Sequence, residues 1–144
     1  MKTLFFLLLF FCALVVNAQN WQKSFADAQA LSKKNNQPIV LVFAGSDWCA
    51  PCIKLDRDIW QSEEFKKYAE KHYVLYKADF PRRKSNKLPL EIENQHKILA
   101  DKYNTKGYFP LVVVLNEKGE ILGETGYKKV APNEYISVIN EFLD

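Results

Sequence analysis

Glycine is scarce in this chain, five of 144 residues, and proline numbers only six, so collagen-like and low-complexity architectures are excluded. Histidine occurs twice and cysteine three times, which leaves no set of four ligands at a common zinc spacing. A dominant charge is missing as well. Twenty basic residues face seventeen acidic ones, a formal net charge of +3, and nucleic-acid binding has no compositional support. No internal repeat is present. What remains is an ordinary globular composition, 48% hydrophobic and 14% aromatic, too apolar for disorder and too short for two sizeable domains.

The strongest bias lies at the N-terminus. Leu4 to Val16 is uninterrupted apolar sequence behind a single Lys2. Thirteen helical residues reach about 20 Å, short of the roughly 30 Å hydrocarbon core, so a stable membrane span is not expected. Val16-Asn17-Ala18 places small residues where a signal peptidase reads, and residues 1–18 read as a signal peptide cleaved before Gln19. Residues 19–144 are then one exported domain, periplasmic or secreted. Cleavage removes Lys2 and Cys12 and leaves two cysteines, Cys49 and Cys52. A disulfide-dense scaffold is excluded, and the core must hold the domain together.

Trp21, Phe25, Ala28 and Leu31 recur at helical steps, which predicts a helix over 21–35. Ile39 to Phe43 is a short apolar run rich in β-branched residues, suited to a strand buried on both faces. Ala44-Gly45-Ser46-Asp47 is a turn, and Trp48-Cys49-Ala50-Pro51-Cys52 opens a helix to about Trp60. Ser62 caps a further helix. Tyr73 to Phe80 is a second strand, followed by a basic loop containing Arg82, Arg83, Lys84 and Lys87. Those four cations read either as a solvated loop or as a means of steering an acidic partner. Ile92, His96, Leu99 and Tyr103 mark a helix, and Leu111 to Leu115 a third strand. Asn116 to Gly119 turns into Ile121–Thr125, and Pro132 opens the last helix. This order predicts a mixed sheet with helices on both faces.

Two thiols three residues apart on a first helical turn lie on one face, within reach of a disulfide. Cys49 sits at the helix start, where free N–H groups and the helix dipole favour its thiolate. Cys52, one turn in, is expected to be more buried and less acidic, so Cys49 attacks and Cys52 resolves. A structural disulfide closing so short a loop would add little stability. His72 and His96 read as ordinary helix histidines.

Trp48-Cys49-Ala50-Pro51-Cys52 behind a buried strand resembles the W-C-G-P-C site of the thioredoxin superfamily, and the resemblance spans about residues 20–143. Phe43 to Cys49 is most similar to secreted bacterial thioredoxin-like proteins. The family implies a thioredoxin-like α/β fold, a three-layer α/β/α sandwich with a mixed central sheet. It also implies that Pro110, in Gly107-Tyr108-Phe109-Pro110, is the cis proline facing the thiols. Trp48, Phe109 and Pro110 would form the substrate shelf. The chain departs from the family pattern at Ala50, in place of glycine, and by one apparent extra residue at Tyr108-Phe109. A third departure is at Phe43, where the family carries a buried carboxylate serving the resolving thiol. Asp79 and Lys77 are candidates for that service, against a plain reading as a strand-end pair.

The expected activity is reducing or exchanging disulfides in exported proteins, and Ala50-Pro51, which lacks the histidine of oxidising sites, favours the reducing side. No cofactor or metal is required, since the electrons reside in the two sulfurs. The expected partners are protein disulfides and a redox partner protein, with the chain a monomer. The alternative is a redox-independent binding or chaperone-like module that uses the apolar shelf around Trp48 and Phe109.

Overall fold

A computed structural model describes residues 20–144; the expected signal peptide lies outside the described residues. The elements run α1 (Phe25–Asn35), β1 (Ile39–Ala44), α2 (Ala50–Leu55), a π-helical turn (Asp56–Trp60), α3 (Glu63–His72) and β2 (Val74–Asp79). After a short 3₁₀ turn (Lys84–Asn86) come α4 (Leu90–Tyr103), β3 (Leu111–Leu115), β4 (Ile121–Thr125) and α5 (Pro132–Asn140). The strands form one mixed sheet in the order β2-β1-β3-β4. β1 pairs parallel with β2 and antiparallel with β3, and β3 pairs antiparallel with β4.

The parallel β1–β2 pair needs a crossover, and α2, the π turn and α3 supply it. β1 and β3 are buried along their whole length, so their alternate residues serve two cores. Val40, Val42 and Ala44 face one core with Cys49, Cys52, Leu55, Trp60, Phe65 and Tyr135, under α2, α3 and α5. Ile39, Leu41 and Phe43 face the other with Tyr76, Leu99 and Tyr103, under α1 and α4. This is the expected three-layer sandwich.

Two element boundaries differ from the sequence reading. The first helix starts at Phe25, not Trp21, because Ser24 is extended and its hydroxyl accepts the Asp27 N–H at 3.0 Å. Trp21 instead makes an isolated parallel bridge to Leu75 at the sheet edge. The helix to Trp60 is not uniformly α, since its last five residues are π-helical. No helix among the described residues is long and apolar enough to cross a membrane.

Candidate active site

β1 delivers the chain to the carboxyl end of the sheet, and Gly45-Ser46-Asp47-Trp48 turns it into α2. Gly45 is required by close approach, because a Cβ there would overlap the Trp48 indole. The turn is pinned from β2: the Asp79 carboxylate accepts the Ser46 N–H at 2.9 Å and the Ser46 hydroxyl at 2.5 Å. Pro51 falls in the first turn, where a missing N–H costs nothing.

Cys49 is the N-cap of α2 and is disulfide-bonded to Cys52, with Cα atoms 5.2 Å apart. Its sulfur accepts the Cys52 N–H at 3.3 Å, and the Cys52 sulfur accepts the Gly45 N–H at 3.5 Å. The expected burial difference between the cysteines is absent. Cys49 is 5% exposed and Cys52 4%, and both belong to the core against which Trp48 and Phe109 pack. What separates the sulfurs is position, one capping the first turn and the other inside it.

Trp48 is half-buried. Its indole N–H donates to the Phe80 carbonyl at 2.7 Å, its ring meets Phe109 edge-on at 5.4 Å, and the Arg82 guanidinium lies 3.8 Å from the ring centroid. The Phe109–Pro110 peptide is cis. The segment before the cis bond is held locally. Asn104 donates to the Tyr108 carbonyl and accepts the Tyr108 N–H, both at 2.9 Å, while Gly107 takes the left-handed conformation that glycine adopts freely (φ 68°). Tyr108 bulges outward, 57% exposed, and Pro110 stays buried beside Cys52 in the lining of one small cavity.

That cavity, about 150 Å³, holds a functional candidate the sequence reading missed. It is lined by Cys52, Val42, Asp56, Trp60, Lys77 and Pro110, among others. Val42 lies in the core that contains the thiols, whereas Phe43 packs in the opposite core. β1 carries no carboxylate, and the one that lines this cavity is Asp56, four residues beyond Cys52 and so on the same helix face. Asp56 accepts from Lys77 at 3.0 Å, and Lys77 is the register partner of Val42 on β2. The signal was present as an i, i+4 Cys–Asp pair, but only the β2 register places Lys77 opposite. Asp79, the other sequence candidate, does not line the cavity; its carboxylate holds the Ser46 turn.

His96 is buried, 4% exposed, and far from ordinary: its Nε2 lies 3.0 Å from the Tyr76 hydroxyl and its Nδ1 2.8 Å from the Asp79 carbonyl. Burial pushes its pKa below the usual histidine value, offset in part by the Asp79 carbonyl. It serves the second core and does not join the thiols.

Comparison with known proteins agrees with this architecture. A family model described as thioredoxin-like matches residues 20–117. The disulfide bond reductase DsbH of Chlamydia pneumoniae is 36% identical over 129 residues, covering 89% of this chain and 76% of that protein. A solved structure titled DsbH Oxidoreductase superposes with a TM-score of 0.80 at 35% identity, covering 90% of this chain and 88% of the other. A disulphide isomerase from Xylella fastidiosa Temecula1 shares the fold, with a TM-score of 0.60 at 20% identity over 88% of this chain and all of that one. With a disulfide-bonded C-x-x-C pair opening α2 and these relatives, the chain belongs to the thioredoxin-like family and is a thiol–disulfide oxidoreductase.

Proposed function

We propose that the protein works in the reducing direction on disulfides of exported proteins, with Cys49 as nucleophile and Cys52 as resolving thiol. The observation that carries the assignment is the cap. The Cys49 sulfur receives an N–H from the first turn and lies at the positive end of the helical segment, and both favour a thiolate there. Attack by the Cys49 thiolate on a substrate disulfide forms a mixed disulfide and expels one substrate thiolate. Cys52 then attacks the Cys49 sulfur and expels the second. The substrate disulfide becomes two thiols, and the protein dithiol becomes the Cys49–Cys52 disulfide, which a redox partner protein must re-reduce.

Cys52 must lose a proton to resolve. Asp56 is the acceptor the geometry offers, on the same helix face and lining the same cavity, which has room for bridging water. Trp48, Phe109 and Pro110 form the apolar shelf for the substrate chain. The N-terminal residues 1–18 act as the export signal, which places the mature protein, a monomer, in the periplasm or outside the cell. The name of the Chlamydia pneumoniae relative, a disulfide bond reductase, supports the reducing direction.

Trapping tests the roles. Cys52→Ser accumulates covalent mixed disulfides through Cys49, seen by non-reducing electrophoresis and mass spectrometry, whereas Cys49→Ser accumulates almost none. Equal trapping by the two variants overturns the assignment.

A further inference from the structure

The cations of this chain are unevenly placed. Between Pro81 and Pro89 stand Arg82, Arg83, Lys84 and Lys87 with no acidic residue. Outside that loop, residues 20–144 hold two more acids than bases. All four side chains are exposed, and among the described residues none of them forms an ion pair. They line a cleft of about 270 Å³ together with Lys97 of α4. Asp79 and Glu93 also border it, but the first is engaged by Ser46 and the second by Lys97 at 3.2 Å.

Four like charges in six residues repel one another, yet the loop is fastened to the redox site. Asp47, two residues before Cys49, accepts the N–H groups of Arg82 at 2.9 Å and Arg83 at 3.0 Å, and the Asn86 side-chain amide at 3.0 Å. Those hydrogen bonds, the Arg82 N–H foremost, hold the Asp47 carboxyl down to about 2, so the latch is ionised throughout the physiological range. Asp47 is engaged by loop amides and leaves the arginine and lysine heads unpaired. The Arg82 guanidinium then lies over the ring of Trp48, the residue next to the nucleophile. Solubility alone would require neither fixture.

We infer that this loop is a docking surface for substrate polypeptides carrying Asp or Glu a few residues from the disulfide to be reduced. The inference rests on the reductive reading above and adds the substrate class. Arginine presents a planar fork matched to carboxylates, and the lysines add positive field beside the Trp48–Phe109 shelf. The gain appears in association rate, which clustered charge can raise by 10–10³ at low salt.

The test uses three disulfide peptides identical around the cystine and flanked by Glu, Gln or Lys. Each is mixed with the pre-reduced full-length protein in stopped flow, at low ionic strength and again in high salt. The Glu peptide is reduced about tenfold faster than the Lys peptide at low salt, and the margin closes as salt rises. The triple variant R83Q/K84Q/K87Q brings the Glu-to-Lys rate ratio toward one. Equal rates for the Glu and Lys peptides at low salt overturn the inference, as does a ratio that survives the triple variant. Sedimentation with phosphatidylglycerol vesicles, combined with no discrimination among the peptides, reassigns the surface to anionic membrane and also overturns it. Failure to reduce any peptide is a different result, which removes the reductive reading and the docking surface with it.

Discussion

The two faces of the sheet differ in what stands beside their buried polar groups. Under α1 and α4, the Tyr76 hydroxyl, the His96 ring and the Asp79 carbonyl form a closed chain of partners within an apolar core. Under α2, α3 and α5, both cysteines belong to a core with Trp60, Phe65, Tyr73 and Tyr135, and Cys52 lines a cavity shared with Asp56 and Lys77. A satisfied polar network rigidifies a core. Groups left facing a cavity keep room for a proton or a reacting atom to move. The comparison teaches that the same sheet supplies both rigidity and reactivity, and that the reactive pair is found where the core borders a cavity.

The largest expected effect comes from the reactive face. Trp60 is fully buried, packs against Trp21, Phe65 and Tyr135, and walls the cavity beside Cys52. Trp60→Ala costs about 3–5 kcal/mol in denaturant unfolding and also slows disulfide reduction. Loss of stability with an unchanged reduction rate would break the link between that core and the thiols.

The closed face gives a smaller effect of a different kind. His96→Leu leaves the Tyr76 hydroxyl and Asp79 carbonyl unpaired and costs about 1–3 kcal/mol, without changing the reduction rate at neutral pH. The wild-type protein should also show a pH dependence that this variant lacks. The folded-state pKa of His96 lies below the ordinary 6.5, so the unfolded chain binds its proton first. The contribution is complete above 6.5 and is lost as pH falls through 6.5 to the depressed folded value. Urea midpoints across mildly acidic pH, steeper for wild type than for His96→Leu, would establish it; parallel curves would show that another group titrates there.

The smallest effect belongs to the seam between the faces. Asp47→Asn keeps one side-chain acceptor but loses the charge and the second oxygen that hold the Arg82 and Arg83 amides. Hydrogen exchange at those two amides accelerates several-fold, while global unfolding hardly shifts. Unchanged exchange would show that Trp48 alone secures the loop.

Much of this was legible in the sequence for physical reasons. Continuous apolar strands, capped helices and a C-x-x-C at a strand-to-helix turn are local patterns, and local patterns placed β1, β3, α2 and the thiols. Trp21 was misread because helical spacing cannot distinguish the start of a helix from an edge residue packing on the same core, and Ser24 decided the boundary. The equal burial of Cys49 and Cys52 was illegible, since the core that holds both is completed by residues far along the chain, Val112, Val114 and Tyr135 among them. Lys77 reads as a strand-end charge until the Val42–Lys77 register sets it opposite Asp56.

The antiparallel register that sets Phe43 opposite Leu111 also determines when the site comes into being. A growing chain presents Cys49 and Cys52 long before β3 exists, and β1–α2–α3–β2 can collapse first as a local unit with one flank of β1 still open. Only when the β3–β4 hairpin docks on β1 does Pro110 arrive beside Cys52. Such sequence-distant pairing is a slow, late event in folding. Without that docking one flank of β1 has no partner strand. The wall beside Cys52 is thus complete only with the C-terminal hairpin in place.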